Sequence, residues 1–407
     1  VRVIVISNYY PPFFKGGYEL SCKKAVDQLI CRHHQVMVVT SNWKSKESTS
    51  QKNIKRKLFQ HSHKGKRGLA KRILQLHQLI TGVLDYRTLL CLCQDFEPDV
   101  AYIWNMNTLS LNLLMVFNRL NIPVIFDLGD YWLSEKLDEF SENVLGLKVV
   151  YRSLIHGGFH PRKISFRNLL CDSSVLKKHY VSKGFPAESI TIIPRGLPNK
   201  YILEKPAPFD YEREIRLIFV GRLTREKGVH IAIETVAILL QNKGGEEVHL
   251  DIIGSGDSEY TQKLEQNVHS LGLTEHVHFL GNLPHHKLME LLKNYHALLF
   301  PAIWVEPFGG VVIEALAQGV CVIASDRGGP AEIITHEHDG ILVPPEDPHA
   351  MAQAVKDLMQ NRYLSSRIRR EAINTVREQY SLERVGDKIE TYLQEAIFEY
   401  SRTSPFS

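Results

Sequence analysis

The sequence predicts an α/β chain of two domains, and three observations carry that expectation. The order strand, glycine-rich loop, helix recurs: Val1–Ile6 leads into Gly16-Gly17, Ile215–Val220 into Gly221–Gly228, and Ala297–Phe300 into Gly309-Gly310. The run Ala297-Leu298-Leu299-Phe300 is apolar throughout, as a strand buried on both faces of a parallel sheet is. A length of 407 residues exceeds what one hydrophobic core ordinarily fills. Open α/β sheets bind ligands beyond the C-terminal ends of their strands, so the loops after these strands are where function is expected.

Bulk composition narrows the class. Hydrophobic content of 44% and charged content of 23% are those of a soluble globular enzyme. A net charge of +4 gives no support to a nucleic-acid partner. The cysteines Cys22, Cys31, Cys91, Cys93, Cys171 and Cys321 form no C-x-x-C pair, so reduced thiols and a cytoplasmic location are expected. No apolar run reaches the roughly 20 residues of a membrane helix. The chain opens directly on a strand, which leaves no room for a secretory leader in the sequence as it stands.

The most informative stretch is Pro301 to Gly319. Pro301 and Pro307 keep the residues before them out of a helix. Gly309 and Gly310 let backbone approach a ligand closely. A helix begins near Gly310 and ends near Gly319. Its free N–H groups and positive dipole end favour a phosphate. Glu306 in the loop and Glu314 in the helix flank that cradle, and each carboxylate can accept two hydroxyl hydrogen bonds. A sugar at one end of a diphosphate and a ribose at the other suit such a pair. The alternative is an ordinary helix N-terminus with unrelated glutamates.

Glu306, seven residues and Glu314, with Phe308-Gly309-Gly310 between, resemble the signature of retaining family 4 glycosyltransferases. The resemblance implies the GT-B fold: two Rossmann-like domains facing across a cleft. It implies boundaries near 1–196 for an acceptor domain and 197–385 for a donor domain, with a helix in 386–407 crossing back to the first. Gly221-Arg222-Leu223-Thr224-Arg225-Glu226-Lys227-Gly228 is a second matching segment. Arg222 and Lys227 there correspond to the pair that grips the donor diphosphate. That role agrees with their chemistry, because a guanidinium and an ammonium stabilise charge developing on the leaving oxygen without a metal. Gly254 and the segment Val277–Pro284, with Asn282 and Leu283, are similar to the region that meets the nucleotide. Phe308, Gly309, Gly310 and Val311 complete the implied donor site. Gly254-Ser255-Gly256 lacks the third glycine of a dinucleotide fingerprint, since position 259 is Glu, which disfavours a nicotinamide enzyme.

The N-terminal half matches less well. Pro11-Pro12 followed by Gly16-Gly17 resembles the first loop of the family, which reaches towards donor phosphates and acceptor. After the strand Val124–Leu128 many members have His-Asp, and the histidine holds the transferred sugar. This chain has Gly129-Asp130, so only Asp130 carries over. Asp130 has two open readings, a cleft residue and a cap for a helix starting near Tyr131. Gly129-Asp130-Tyr131-Trp132 is similar to a stretch of cyanobacterial polysaccharide transferases. Between Lys44 and His77 lie eleven Lys and Arg residues against Glu47 as the one acid. That segment reads either as a solvated loop leading into a helix or as a surface for anionic lipid and a lipid-linked acceptor.

The resemblance therefore implies a retaining transfer of sugar from a nucleotide-diphosphate donor to a hydroxyl of a saccharide or lipid-linked acceptor. UDP-glucose is the donor by its frequency in the family. No cofactor and no nucleic acid are expected, and the location is cytoplasmic or peripheral at the inner membrane face. A sugar-nucleotide epimerase of similar fold and a donor-binding protein without catalysis are the competing readings. The sequence holds no Asp-x-Asp and no histidine cluster with metal spacing. Turnover is accordingly expected to survive a strong chelator. Loss of activity that Mg²⁺ or Mn²⁺ restores would contradict this.

Overall fold

The computed structural model describes residues 1–44, 53–60, 69–141, 164–208, 214–241 and 247–403. The chain divides into two compact units, Val1–Pro194 with Gly386–Ser407, and Arg195–Val385.

The first unit is built on β1 (Arg2–Ser7), β2 (Gln35–Ser41), β3 (Ile54–Leu58), β4 (Val100–Ile103), β5 (Val124–Leu128), β6 (Leu169–Cys171) and β7 (Ile190–Ile192). All pairings are parallel, in the order β3-β2-β1-β4-β5-β6-β7. Ile4 of β1 lies opposite Met37 on one side and Ala101 on the other. Successive residues Val3, Ile4, Val5 and Ile6 are all fully buried, so the sheet is covered on both faces. The chain runs from β1 outward to β3, then returns to β4 on the other side of β1. The switch point of this sheet therefore lies between β1 and β4.

One strand was hidden in the sequence. Residues 54–58 sit inside the basic stretch read as a loop, yet they form β3 beside β2. Ile54 and Leu58 are buried, while Lys55, Arg56 and Lys57 between them fill the less covered positions. Pairing to β2 overrides a composition that argues for solvent. Most of the remaining basic residues of 44–77 lie outside the described residues or have undescribed side chains.

The second unit carries β8 (Glu214–Val220), β9 (Glu247–Ile253), β10 (Val277–Gly281), β11 (Ala297–Phe300), β12 (Cys321–Ser325) and β13 (Ile341–Val343). These too are all parallel, in the order β10-β9-β8-β11-β12-β13. Alternation decides which core each residue joins. Leu217, Phe219, Leu250, Ile252 and Leu299 face a cluster with the helices Val229–Gln241 and Pro348–Gln360. Ile218, Ile253, Leu298 and Phe300 face another with the helices His285–Leu292 and Gly310–Ala317. Each fully buried aliphatic side chain contributes about 1.5–3 kcal/mol. The switch point of this sheet lies between β8 and β11.

The last helix, Leu382–Thr403, starts in the second unit and belongs to the first from Gly386 onward. Ile389, Leu393 and Ala396 recur at helical spacing and are buried. Asp387 and Glu390 on it meet Arg32 and His34 at 2.8 Å each. Among the described residues, no helix is long and apolar enough to cross a membrane.

Candidate active site

The second unit gathers the predicted residues at its switch point. After β8 the chain makes a short turn, Arg225–Lys227, closed by Gly228 in the left-handed conformation at φ 73°. After β11 the loop Pro301–Gly309 leads into the helix Gly310–Ala317. The two loops are tied together by backbone, since Ile303 N–H donates to the Glu226 carbonyl at 2.9 Å. A side chain at 228 is doubly excluded. Its Cβ would stand 1.9 Å from the Pro301 carbonyl oxygen, and the φ disfavours any L residue. Gly228→Ala is expected to lower the melting temperature by roughly 5 °C or more. An unchanged melting curve would show that the two loops are free to separate.

This tie brings two catalytic candidates into contact. The Lys227 ammonium donates to Glu306 Oε2, with both side chains about seven-eighths buried. Trp304 Nε1–H donates to the same oxygen at 2.9 Å, and the ammonium lies 5.1 Å from the Trp304 ring centroid. Burial in such surroundings strengthens each contact relative to water. Arg222, by contrast, points outward, with only a 4.0 Å contact to Glu226. It remains available to a ligand that arrives from solvent.

Glu314 is placed by a different pairing. It lies in the helix Gly310–Ala317, and its Oε1 meets His285 Nε2 at 2.8 Å. His285 opens the helix after β10, and the Tyr201 ring packs edge-on against it at 5.3 Å. The remaining predicted positions of this unit lie after β9, β10 and β11. Gly254 N–H donates to the Gly281 carbonyl, and a Cβ at 254 would stand 1.8 Å from the Gly221 carbonyl oxygen. So Gly254 allows the loops after β8 and β9 to touch. Asn282 donates to Ser255 Oγ at 2.7 Å, and Leu283 packs against the core. The Phe308 side chain is buried in that core beside Tyr380, and Gly329 packs against its backbone. Gly309 is left-handed at φ 93°, the space beside Gly310 is open, and Val311 is half-buried.

Gly16, Gly17 and Asp130 lie in the first unit. Gly16 precedes the helix Gly17–Cys31, and its N–H donates to Glu19 Oε2 at 2.9 Å. Burial pushes the Glu19 carboxyl up, against the pull of the Gly16 amide and Lys15. Asp130 Oδ1 accepts from Trp132 N–H at 3.0 Å, at the start of the helix Trp132–Ser141, so the capping contact is made. Tyr180 O–H donates to the Asp130 carbonyl at 2.8 Å.

Sequence reasoning missed Trp304, His285 and Tyr201. Trp304 was legible as a neighbour of Glu306, and its indole N–H was the signal, because a half-buried indole seeks an acceptor. His285 and Tyr201 were not legible. Each reaches Glu314 or its partner only through packing of segments remote in the chain.

A parallel two-sheet chain with a glycine-bound turn, a Lys–Glu pair and a second glutamate at one switch point has the architecture of nucleotide-sugar transferases. Comparison with known proteins agrees. Residues 203–375 match the family model described as glycosyl transferases group 1. The uncharacterized glycosyltransferase MJ1607 of Methanocaldococcus jannaschii is 25% identical over 400 residues, covering 95% of this chain and 96% of that one. The amylovoran biosynthesis glycosyltransferase AmsK of Erwinia amylovora is 31% identical over 212 residues, 50% of this chain and 51% of that one. Anabaena Alr3699/HepE in complex with UDP and glucose superposes with a TM-score of 0.68 at 18% identity, covering 96% of this chain and 99% of that one. At that identity the likeness shows the fold alone and assigns the chain to no cyanobacterial branch. Residues 203–375 thus carry the group 1 glycosyltransferase pattern, the chain has the GT-B fold, and its activity is that of a glycosyltransferase with a nucleotide-sugar donor. The epimerase and binding-only readings of the sequence are thereby set aside.

Proposed function

We propose that the protein transfers glucose from UDP-glucose, with retention of configuration, to a hydroxyl of a saccharide or lipid-linked acceptor in polysaccharide or glycolipid synthesis. One observation carries this reading: Lys227 and Glu306 meet at the switch point between β8 and β11, on the loop that leads to the open Gly310 helix start. In this reading the second unit holds the donor and the first unit holds the acceptor. Arg222 and Lys227 take the diphosphate, and the Gly310 helix end faces its phosphates. Glu306 takes hydroxyls of the transferred sugar, and Glu314 takes those of the ribose. Gly254, Asn282, Leu283, Phe308 and Val311 shape the nucleotide pocket through backbone and packing. Asp130 and Gly16-Gly17 serve the sugar and acceptor side. The reaction takes place in the cytoplasm or at the inner membrane face.

The choice of glucose and UDP draws support from the UDP and glucose named with the Anabaena structure, and the polymer role from the amylovoran transferase. The leaving diphosphate oxygen takes the acceptor proton in a retaining transfer of this kind, so no histidine at 129 is required. A calorimetric screen of UDP-, GDP- and ADP-sugars, followed by product analysis with saccharide acceptors, tests the proposal. Tight binding confined to a guanine or adenine donor, or an inverted product, would overturn it.

A further inference from the structure

A second built site lies in the first unit, beyond the C-terminal ends of β1 and β2. Two separate segments converge there, the loop after β1 and the two residues Trp43-Lys44 after β2. The rings of Tyr9 and Trp43 meet edge-on, 4.8 Å apart. The Lys15 ammonium lies 4.6 Å from the Tyr9 ring centroid and 5.3 Å from that of Trp43. The Lys44 ammonium lies 4.6 Å from the same Trp43 ring. Both lysines are exposed, and among the described residues neither forms an ion pair. Lys15 acts at a distance on Glu19, which is buried and engaged with the Gly16 amide.

Holding an ammonium against a ring differs from holding it against a carboxylate. The ring quadrupole fixes the position of the cation and leaves its charge uncompensated. A carboxylate would have cancelled it. The loop beneath is itself fastened, because Arg56 of β3 donates to the carbonyls of Tyr10 at 3.0 Å and Pro11 at 2.5 Å. The Arg56 guanidinium also lies 5.3 Å from the Phe13 ring centroid. So the guanidinium is spent on the loop, while the two ammoniums on one indole are in no ion pair among the described residues. They lie beyond the C-terminal ends of the neighbouring strands β1 and β2, the end of the sheet at which open α/β folds present their ligands.

We infer that this cluster binds a phosphate or diphosphate group carried by the acceptor. The inference rests on the reading of the first unit as the acceptor side. A neutral saccharide needs no uncompensated charge, whereas a phosphate dianion gains a charge-assisted hydrogen bond from each ammonium. The phosphate belongs either to a soluble sugar phosphate or to the diphosphate of a lipid-linked saccharide.

Calorimetry on the full chain, saturated with UDP to fill the donor side, tests this. The probes are glucose, glucose 1-phosphate, and glucosyl diphosphate on a short prenyl chain in detergent. The variants are Lys15→Ala with Lys44→Ala, Lys15→Arg with Lys44→Arg, and Trp43→Leu, each checked for its melting temperature. Both phosphate probes are expected to bind and glucose is not. The double alanine variant is expected to weaken them by about tenfold or more, and the double arginine variant to retain most of the affinity. Trp43→Leu is expected to weaken them too, by freeing the ammoniums. Tighter binding of the prenyl probe identifies a lipid-linked acceptor, and equal binding a soluble one. Equal binding of glucose and glucose 1-phosphate, or unaltered affinity in the double alanine variant, overturns the inference. Failure of the wild-type protein to bind UDP at all counts against the donor reading instead, so the two failures are separable.

Discussion

Lys227→Ala is expected to lower kcat by about a hundredfold or more, as loss of a preorganised leaving-group cation does. The geometry makes the effect specific. Gly228 and the Pro301 carbonyl hold the turn, so the ammonium has one place to go, over the Trp304 ring and against Glu306. Alanine strips Glu306 of its charged partner and, in the proposed site, would remove the cation from the departing diphosphate. Glu306 keeps the Trp304 N–H, so the fold loses less than the chemistry does. Arg222→Ala should lower kcat by a comparable factor for a different reason. Its side chain is exposed and makes only a distant contact with Glu226, so its loss leaves the melting temperature unchanged. Measuring kcat, donor KM and melting temperature for both variants checks the assignment. Near wild-type turnover in both would remove these residues from the mechanism. Because Lys227 and Glu306 touch, a double-mutant cycle between them should be strongly non-additive, with the pair of changes little worse than Lys227→Ala alone.

The second large effect separates the two glutamates. Glu306→Gln should lower kcat by about tenfold or more, while Glu314→Gln should chiefly raise the donor KM. Glu306 accepts from Lys227 and Trp304 on one oxygen, which leaves the other oxygen and the charge for a sugar becoming oxocarbenium-like. That interaction grows as the bond breaks. Glu314 is held by His285, and in the proposed site it would meet a ribose distant from the reacting bond, so its contact would be alike in ground and transition states. If both residues were merely structural, both variants would melt earlier and lose kcat/KM equally. Kinetics with melting curves for each variant therefore distinguish the roles. His285→Ala should follow Glu314→Gln in raising KM, since it removes the group that orients the Glu314 carboxylate.

How much of this site was legible varies by segment. The stretch Pro301–Gly319 announced itself because every element of it is local: the apolar strand, the two prolines, the glycine pair and the helix start all follow from backbone preferences. The same holds for Gly221–Gly228. By contrast β3 was read as loop, since its three consecutive basic residues outweighed two buried ones at its ends, and only pairing to β2 reveals it. Asp130 was legible as a cap or a cleft residue, and the structure makes the capping contact with Trp132. Phe308 lies in the signature, yet its side chain turns into the core.

By itself the sequence determined the α/β class and the repeated strand–loop–helix units, and it put forward Arg222, Lys227, Glu306 and Glu314 as candidates. Those follow from local rules, in which residue type and spacing act within a few positions. Only the tertiary structure decided which of them meet. The order β10-β9-β8-β11 sets the turn after β8 against the loop after β11, and so pairs residues 79 positions apart, Lys227 and Glu306. It likewise brings His285, from after β10, to Glu314, and in the other sheet the adjacency of β1 and β2 joins Lys15 to Trp43. Strand order is a property of the whole sheet, fixed by which apolar faces can be covered together, and no window of the chain contains that information.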